Sequence, residues 1–357
     1  MKLAFLIHKA QPRGQEVFAA QLGNQLLQMG HEVILISLYE GNFDLGFNGS
    51  FISFNFPSSM ALWLPSSWKK LDRFIQGMQV DIIQANGGDT LKYLALSRIM
   101  YPLSGRLIFN NGGVVGYYLT TFLKRSLYRF FLMKFDAAIS VSRHAQLDLS
   151  QWLPASCLQF QIPIGIPPHQ TFNLSNGPNH QVFVHIGGFS PEKNHKELVE
   201  IFIKHLKNHH EHQLWMIGEG PSRMEIEGMI QEPYTQSFRF LGSVKDPWVY
   251  VPQNAILLLT SRMEGMPAVI AEAMMAKIPV ISYAIGGVAE MAQELGTISL
   301  IDFGDQRSFL KAMKFWSTMG RDSIQGQLQE SYDSAIKRFD LKTISNRFLD
   351  VYQKVCG

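Results

Sequence analysis

Thirteen consecutive residues concentrate the chemistry of this 357-residue chain: Ser261-Arg262-Met263-Glu264-Gly265-Met266-Pro267-Ala268-Val269-Ile270-Ala271-Glu272-Ala273. They follow an apolar run at 255–259 that has the length of a buried strand. Gly265 permits a tight turn, and Pro267 suits a first helical position. The free N–H groups of a helix start favour an anion, typically phosphate. Glu264 precedes that helix, and Glu272 sits about two turns deeper along it. Two acceptor-only carboxylates beside a phosphate site suit a ligand that carries both phosphate and hydroxyls, as a nucleotide-sugar does. The same residues could also serve as a helix cap with two unrelated surface acids.

Three more loops add to this one. Ile186-Gly187-Gly188-Phe189-Ser190-Pro191-Glu192-Lys193-Asn194 follows a strand and brings a lysine to a helix entrance, where it can act as a point charge for a diphosphate. Ile217-Gly218-Glu219-Gly220-Pro221 and Ala284-Ile285-Gly286-Gly287-Val288-Ala289-Glu290 are further strand-to-helix turns. Each alone is weak, because many such turns contain glycine; four in one order form a pattern.

The elements that must hold these loops alternate along the chain. Strands are expected at 3–7, 33–38, 80–85, 106–109 and 137–141, with helices at about 16–29, 89–100, 117–133 and 143–150. A second series follows: strands at 182–187, 213–217, 237–241, 255–259 and 278–282, with helices from about 193 and at 267–276. Short buried strands alternating with helices imply βαβ units and parallel sheets, whose ligands sit at the carboxyl ends of the strands. The domains are expected at 1–168 and 181–340, joined by a polar linker at 169–180. The amphipathic stretch 341–357 follows.

These motifs resemble the retaining glycosyltransferases of family four, which have the GT-B fold. The match lies in the 187–193 loop, the Gly218-Glu219-Gly220-Pro221 turn, Phe240-Leu241-Gly242, the two glutamates eight apart, Pro279-Val280-Ile281, and the double glycine with Glu290. The first half matches more loosely, through Pro12-Arg13-Gly14-Gln15-Glu16, Met29-Gly30-His31-Glu32-Val33, Ile139-Ser140-Val141-Ser142 and Ile162-Pro163-Ile164-Gly165.

The resemblance implies two Rossmann-like, doubly wound parallel-sheet domains facing a central cleft. The first binds the acceptor and the second the donor, and residues 341–357 form a helix crossing back to the first. It implies transfer of a sugar from a nucleoside-diphosphate sugar to a glycan or lipid-linked glycan, in the synthesis of a surface polysaccharide such as lipopolysaccharide. No metal or other cofactor is expected, so cationic side chains and helix N-termini must meet the departing charge. Glu264 would contact the transferred sugar and Glu272 the ribose hydroxyls. Gly265, Met266 and Pro267 would form the turn at the diphosphate. Lys193 would neutralise the leaving group, and Gly14 would let the first loop approach it. Gly187, Gly188, Glu219 and Gly220 complete the expected donor contacts.

Three positions depart from the family pattern. Gly188 stands where an arginine is common, with Arg13 or Arg262 as replacements for its charge. Gln15 replaces a second glycine. Asn111 occupies a catalytic position often held by histidine, and asparagine cannot take a proton at neutral pH. These departures leave open a sugar-nucleotide-binding protein of weak or no activity, and other GT-B enzymes such as a nucleotide-sugar epimerase also remain as alternatives.

Composition narrows the rest. The chain is 46% hydrophobic with a net charge of +3, which excludes a disordered protein and argues against a nucleic-acid binder. Cys157 and Cys356 are too few for a disulfide scaffold and read as thiols of a reducing compartment. The first apolar run is too short for a signal peptide, and no run reaches a membrane span. A cytoplasmic location is therefore expected, soluble or peripheral on a membrane. The basic excess lies in residues 1–168, and the 117–134 segment mixes aromatics with Lys124, Arg125, Arg129 and Lys134. It would suit an anionic membrane surface, or would pack its aromatics on the sheet. Trp63 to Lys70 has similar character. His205, His209, His210 and His212 cluster near a helix end; the spacing of His205 and His209 could place two imidazoles on one face for a metal, but no Cys or carboxylate completes a site, and the cluster reads as a solvated helix end.

Overall fold

The structure, a computed structural model, describes residues 1–57, 59–101, 105–167, 178, 180–292 and 295–357. The linker expected at 169–180 lies outside these apart from 178 and 180.

The chain forms two units. The first combines Met1–Pro167 with Phe339–Gly357, and the second ends at Arg338. The return to the first unit thus begins two residues before the expected 341.

In the first unit, seven parallel strands lie in the order β3-β2-β1-β4-β5-β6-β7. They are β1 (Lys2–Ile7), β2 (Glu32–Ser37), β3 (Ser50–Ser53), β4 (Ile82–Asn86), β5 (Arg106–Asn111), β6 (Ala137–Ser140) and β7 (Leu158–Gln161). The helices are α1 (Gly14–Gln28), α2 (Pro65–Met78), α3 (Gly88–Met100), α4 (Phe122–Leu132) and α5 (Arg143–Ser150). In β1, Leu3 to Ile7 are all buried, because a central parallel strand is covered on both faces.

The sequence suggested one helix over 117–133, but there are two pieces. A 3₁₀ turn covers Val115–Tyr117, and α4 starts only after Thr121, whose side chain accepts from the Lys124 N–H at 3.3 Å. The cap residue stops the helix from extending backwards.

In the second unit, six parallel strands lie in the order β10-β9-β8-β11-β12-β13. They are β8 (Val182–Ile186), β9 (Gln213–Ile217), β10 (Phe238–Gly242), β11 (Ile256–Leu259), β12 (Val280–Tyr283) and β13 (Ile298–Ile301). The helices are α6 (His195–Leu206), α7 (Arg223–Gly228), α8 (Ala268–Met275), α9 (Val288–Met291), α10 (Gln306–Thr318) and α11 (Gln325–Phe339).

The last helix, α12 (Leu341–Cys356), is capped by Asp340, whose carboxylate accepts from the Thr343 N–H at 2.8 Å. It packs Ile344, Phe348, Tyr352 and Val355 into one core with Leu3, Phe5, Ile7 and Phe18. Phe348 meets Phe18 at 5.8 Å between ring centroids, and the Tyr352 hydroxyl donates to Gln84 Oε1 at 2.6 Å. Each such large apolar side chain contributes about 1.5–3 kcal/mol on burial, so α12 is part of the first unit's stability.

Candidate functional site

Each strand order reverses once, between β1 and β4 in the first sheet and between β8 and β11 in the second. Loops leaving such neighbouring strands run apart, and the gap between them is where α/β sheets receive ligands. In the second unit these are the loops that carry Lys193 and Glu264.

The two loops are clasped together. Asn194, held at φ +56, donates its side-chain N–H to the Thr260 carbonyl at 3.1 Å. The Thr260 hydroxyl donates back to the Asn194 carbonyl at 3.2 Å, and the Arg262 N–H donates to the Glu192 carbonyl at 2.7 Å. The result brings Lys193 Nζ within 2.7 Å of Glu264 Oε1. The Ser261 hydroxyl donates to the same oxygen at 2.7 Å. Glu264 is only 8% exposed, so its charge is met by an ammonium and a hydroxyl rather than by bulk water.

A third loop reaches the same place. Gly286 has φ +51, and a Cβ there would stand 1.8 Å from the Glu264 carbonyl oxygen. A fourth supports the 187–193 loop from behind. Cβ atoms on Gly218 and Gly220 would stand 2.0 Å from the Gly187 carbonyl and 2.4 Å from that of Phe189. The Phe189 N–H donates to the Glu219 carbonyl at 2.9 Å. Glu219 thus serves here through its backbone, while its carboxylate pairs with Arg223. Gly188 is exposed, and an added Cβ would meet only the Glu219 carbonyl, at 3.5 Å.

Gly265, Met266 and Pro267 are buried in the turn before α8. Pro267 is not the first helical residue, as expected, but the residue before it, with extended backbone (φ −71, ψ 117). Its ring therefore fixes the approach to the helix. Glu272 is correspondingly just over one turn inside α8 and stands apart from the Lys193–Glu264 pair. Its Oε2 accepts from Trp248 Nε1–H at 2.8 Å. Burial raises the Glu272 carboxyl above its ordinary range, and the Trp248 bond partly offsets this.

Beneath the 187–193 loop lies a buried histidine that sequence reasoning missed. His185 ends near Gly187, and its Nδ1 lies 2.9 Å from the Leu258 carbonyl, to which it can only donate. Burial lowers it to about 4, so it is neutral at physiological pH. His195, stacked on Phe189 at 4.2 Å, is likewise depressed by burial.

Arg13, Gly14 and Asn111 lie in the first unit, at the carboxyl edge of its sheet. Arg13 precedes α1 and is exposed, and a Cβ on Gly14 would meet nothing within 4 Å. Asn111 ends β5 and is buried: its amide lies 3.4 Å from Ser140 Oγ, and its carbonyl oxygen 3.4 Å from the Gly113 N–H. Gln15 fills the space over this strand end. Its Nε2 donates to the Asn110 carbonyl at 3.2 Å, and Cβ atoms on Gly87 and Gly112 would both touch its amide. A pocket of about 410 Å³ next to this loop is lined by Lys9, Gln11, Glu40, Asn42 and Phe43.

This pair of doubly wound parallel sheets is the GT-B fold, and the chain belongs to the group 1 glycosyltransferases. The family model described as "Glycosyl transferases group 1" matches residues 170–335, and "Glycosyltransferase Family 4" matches residues 12–168.

Among individual proteins, the chain is 26% identical over 165 residues to the Vi polysaccharide biosynthesis protein VipC/TviE of Salmonella typhi, over 42% of this chain and 28% of that protein. It is 26% identical over 126 residues to the N-acetyl-alpha-D-glucosaminyl L-malate synthase of Bacillus anthracis, over 35% of this chain and 33% of that enzyme. The matched stretches thus span a third or less of those relatives. Among solved structures, HepE of Anabaena in complex with UDP and glucose superposes with a TM-score of 0.82 at 18% identity, covering 99% of both chains. Sucrose-phosphate synthase of Thermosynechococcus elongatus gives 0.81 at 17%, also over 99% of both. At these identities the likeness is one of fold.

Proposed function

We propose that this chain is a retaining, metal-independent glycosyltransferase that moves a sugar from a nucleoside diphosphate to a glycan or lipid-linked glycan in polysaccharide biosynthesis. The observation that carries this reading is the Lys193–Glu264–Ser261 cluster, set between two strand-end loops and beside the start of α8. HepE, solved with UDP and glucose, and the polysaccharide protein VipC/TviE support the donor and pathway class.

In this reading the diphosphate lies against the start of α8, near Lys193 and Gly187, where N–H groups and one ammonium meet its charge. Glu272 takes the ribose hydroxyls. Glu264 Oε1 is held by Lys193 and Ser261, which aims the carboxylate at the sugar, where positive charge develops as the anomeric bond to phosphate breaks. The acceptor oxygen bonds to the anomeric carbon on the face the phosphate leaves. The acceptor's proton passes to the departing phosphate oxygen, so no side-chain base is needed. That is compatible with a buried asparagine at 111. The first test is a thermal-shift screen of UDP-, GDP- and ADP-sugars, followed by turnover of the stabilising donor with glycan acceptors. A donor that binds and never turns over would instead favour the sugar-nucleotide-binding protein.

A second observation bears on where the acceptor is met. On α4, Phe122 is 84% and Leu123 76% exposed, next to Lys124 and Arg129. No helix among the described residues is long and apolar enough to cross a membrane. This face fits a peripheral seat on anionic lipid, with about 1 kcal/mol from each cation near the surface. Sedimentation with anionic vesicles tests it: Lys124→Gln with Arg129→Gln should release the chain, and a wild type that ignores such vesicles at low salt refutes it.

A further inference from the structure

The turn between α6 and β9 lies at the amino ends of the second unit's strands, whereas the loops carrying Lys193 and Glu264 lie at their carboxyl ends. It was expected to be a solvated helix end. The structure instead gathers its histidines: His205 is 4% and His212 7% exposed. The rings of His205, His209 and His212 stack on one another with centroids 4.6, 5.1 and 4.9 Å apart.

We propose that His209, Glu211 and His212 form a binding site for a divalent transition-metal ion, zinc foremost, with His205 positioning His212. One ligand atom from each of the three lies within 4.8 Å of the others. His212 Nε2 and Glu211 Oε1 are already 3.0 Å apart. Two bonds of about 2.1 Å to one zinc ion span roughly 3.0–3.4 Å at right to tetrahedral angles, so this pair needs little movement. His209 lies nearly parallel to His212, at 8° between ring planes, so its ring must turn out of that stack to aim a nitrogen at the same ion. Two imidazoles and a carboxylate with a place left for water are a zinc-type donor set.

The fourth histidine supplies what a ligand imidazole needs behind it. His205 Nε2 lies 2.9 Å from His212 Nδ1. When His212 donates Nδ1–H to His205, its Nε2 presents a lone pair to the Glu211 carboxylate. Two acceptors then face each other at 3.0 Å, and a cation between them resolves the contact. The other tautomer, with Nε2–H donating to Glu211, satisfies the pair without an ion, and the experiment distinguishes the two. The site is built from the α6–β9 turn alone and does not depend on the proposed sugar transfer.

The test uses the tag-free full chain, stripped with a chelator and titrated with zinc chloride against a chromophoric competitor. One tight equivalent is expected. His209→Gln and Glu211→Gln, both on accessible side chains, should each weaken zinc at least about ten-fold. His205→Gln should weaken it by about ten-fold while one equivalent still binds, since it removes an orienting bond and not a ligand. Zinc should also raise the melting temperature of the wild type and not of Glu211→Gln. No tight equivalent in the wild type, or wild-type affinity retained in His209→Gln or Glu211→Gln, overturns the site.

Discussion

A Cβ on Gly286 would stand 1.8 Å from the carbonyl oxygen of Glu264. The loop after β12 is thus pressed against the backbone that presents the candidate catalytic carboxylate, and only glycine allows the approach. Gly286→Ala must both leave φ +51, at about 1–2 kcal/mol, and push Glu264 aside. We expect kcat/KM for sugar transfer to fall at least about ten-fold, since an ångström of misplacement is costly to catalysis. Gly304→Ala is the control. It also has positive φ, +84, but its Cβ would meet nothing within 4 Å. It should lower the melting point and leave turnover intact. Equal kinetic losses in both would place the effect in the fold.

In the proposed reaction Lys193 meets the charge of the departing diphosphate, and Gly188 supplies no cation of its own. Lys193→Ala should lower kcat by about 10²–10³, the effect of losing one electrostatic stabiliser. The variant also leaves Glu264 in its buried site with only Ser261, so circular dichroism must first establish that it is folded. A folded Lys193→Ala with unchanged kcat would remove the lysine from the mechanism.

Glu264 and Glu272 should divide their duties. Glu264→Gln should cut kcat severely with little change in nucleotide affinity, because charge at the anomeric carbon develops mainly in the transition state. Glu272→Ala should weaken even the bare nucleoside diphosphate, by about 1.5–3 kcal/mol for a charged hydrogen bond. It also strips Trp248 Nε1–H of its acceptor, so Glu272→Gln serves as the variant that can keep that bond. Calorimetry with nucleoside diphosphate and with nucleotide-sugar separates the two roles, and equal losses of both ligands in both variants would refute the division.

Acid should loosen the second unit first. His185, lowered by burial to about 4, and His195, lowered further, are neutral when folded and ordinary imidazoles when unfolded. Below pH 6.5 the unfolded chain therefore binds more protons. Their contribution to stability is complete above that pH and declines as pH falls toward 4, by up to about 1.4 kcal/mol per pH unit for each. Both His195 nitrogens are buried without a hydrogen-bond partner among the described residues, and its ring stacks on Phe189. His195→Phe should thus fold, and its urea midpoint should drop less between pH 7 and 5 than that of the wild type. Parallel declines would exclude His195 as a source of the acid sensitivity.

The sequence made the loops at 187–193 and 264–267 legible because their signal is local. Gly187 to Lys193 and Glu264 to Pro267 each adjoin an apolar strand, and strand-end glycines and acids can be read without knowing what they face. Relationships across the chain were not legible. Trp248 reaches Glu272 from a 3₁₀ turn at Pro247–Tyr250, and no spacing announces that bond. The placing of Asn111 rests on Ser140 and the β5–β6 register. The short edge strands β3 and β7, with half their residues exposed, lack the continuous apolar run that revealed β1 and β11. In the 117–134 segment the aromatic pattern hid Thr121, the cap that decides where α4 begins.

The placement of α12 carries a consequence for synthesis. Its Phe348 and Tyr352 belong to the same core as Phe5 and Phe18 near the amino end. A ribosome therefore delivers β1 and α1 long before the helix that covers them, and the whole second unit emerges in between. The sheet of the second unit can close while the first still waits with part of its apolar face open to solvent. The unit whose synthesis begins before the other is thus completed after it.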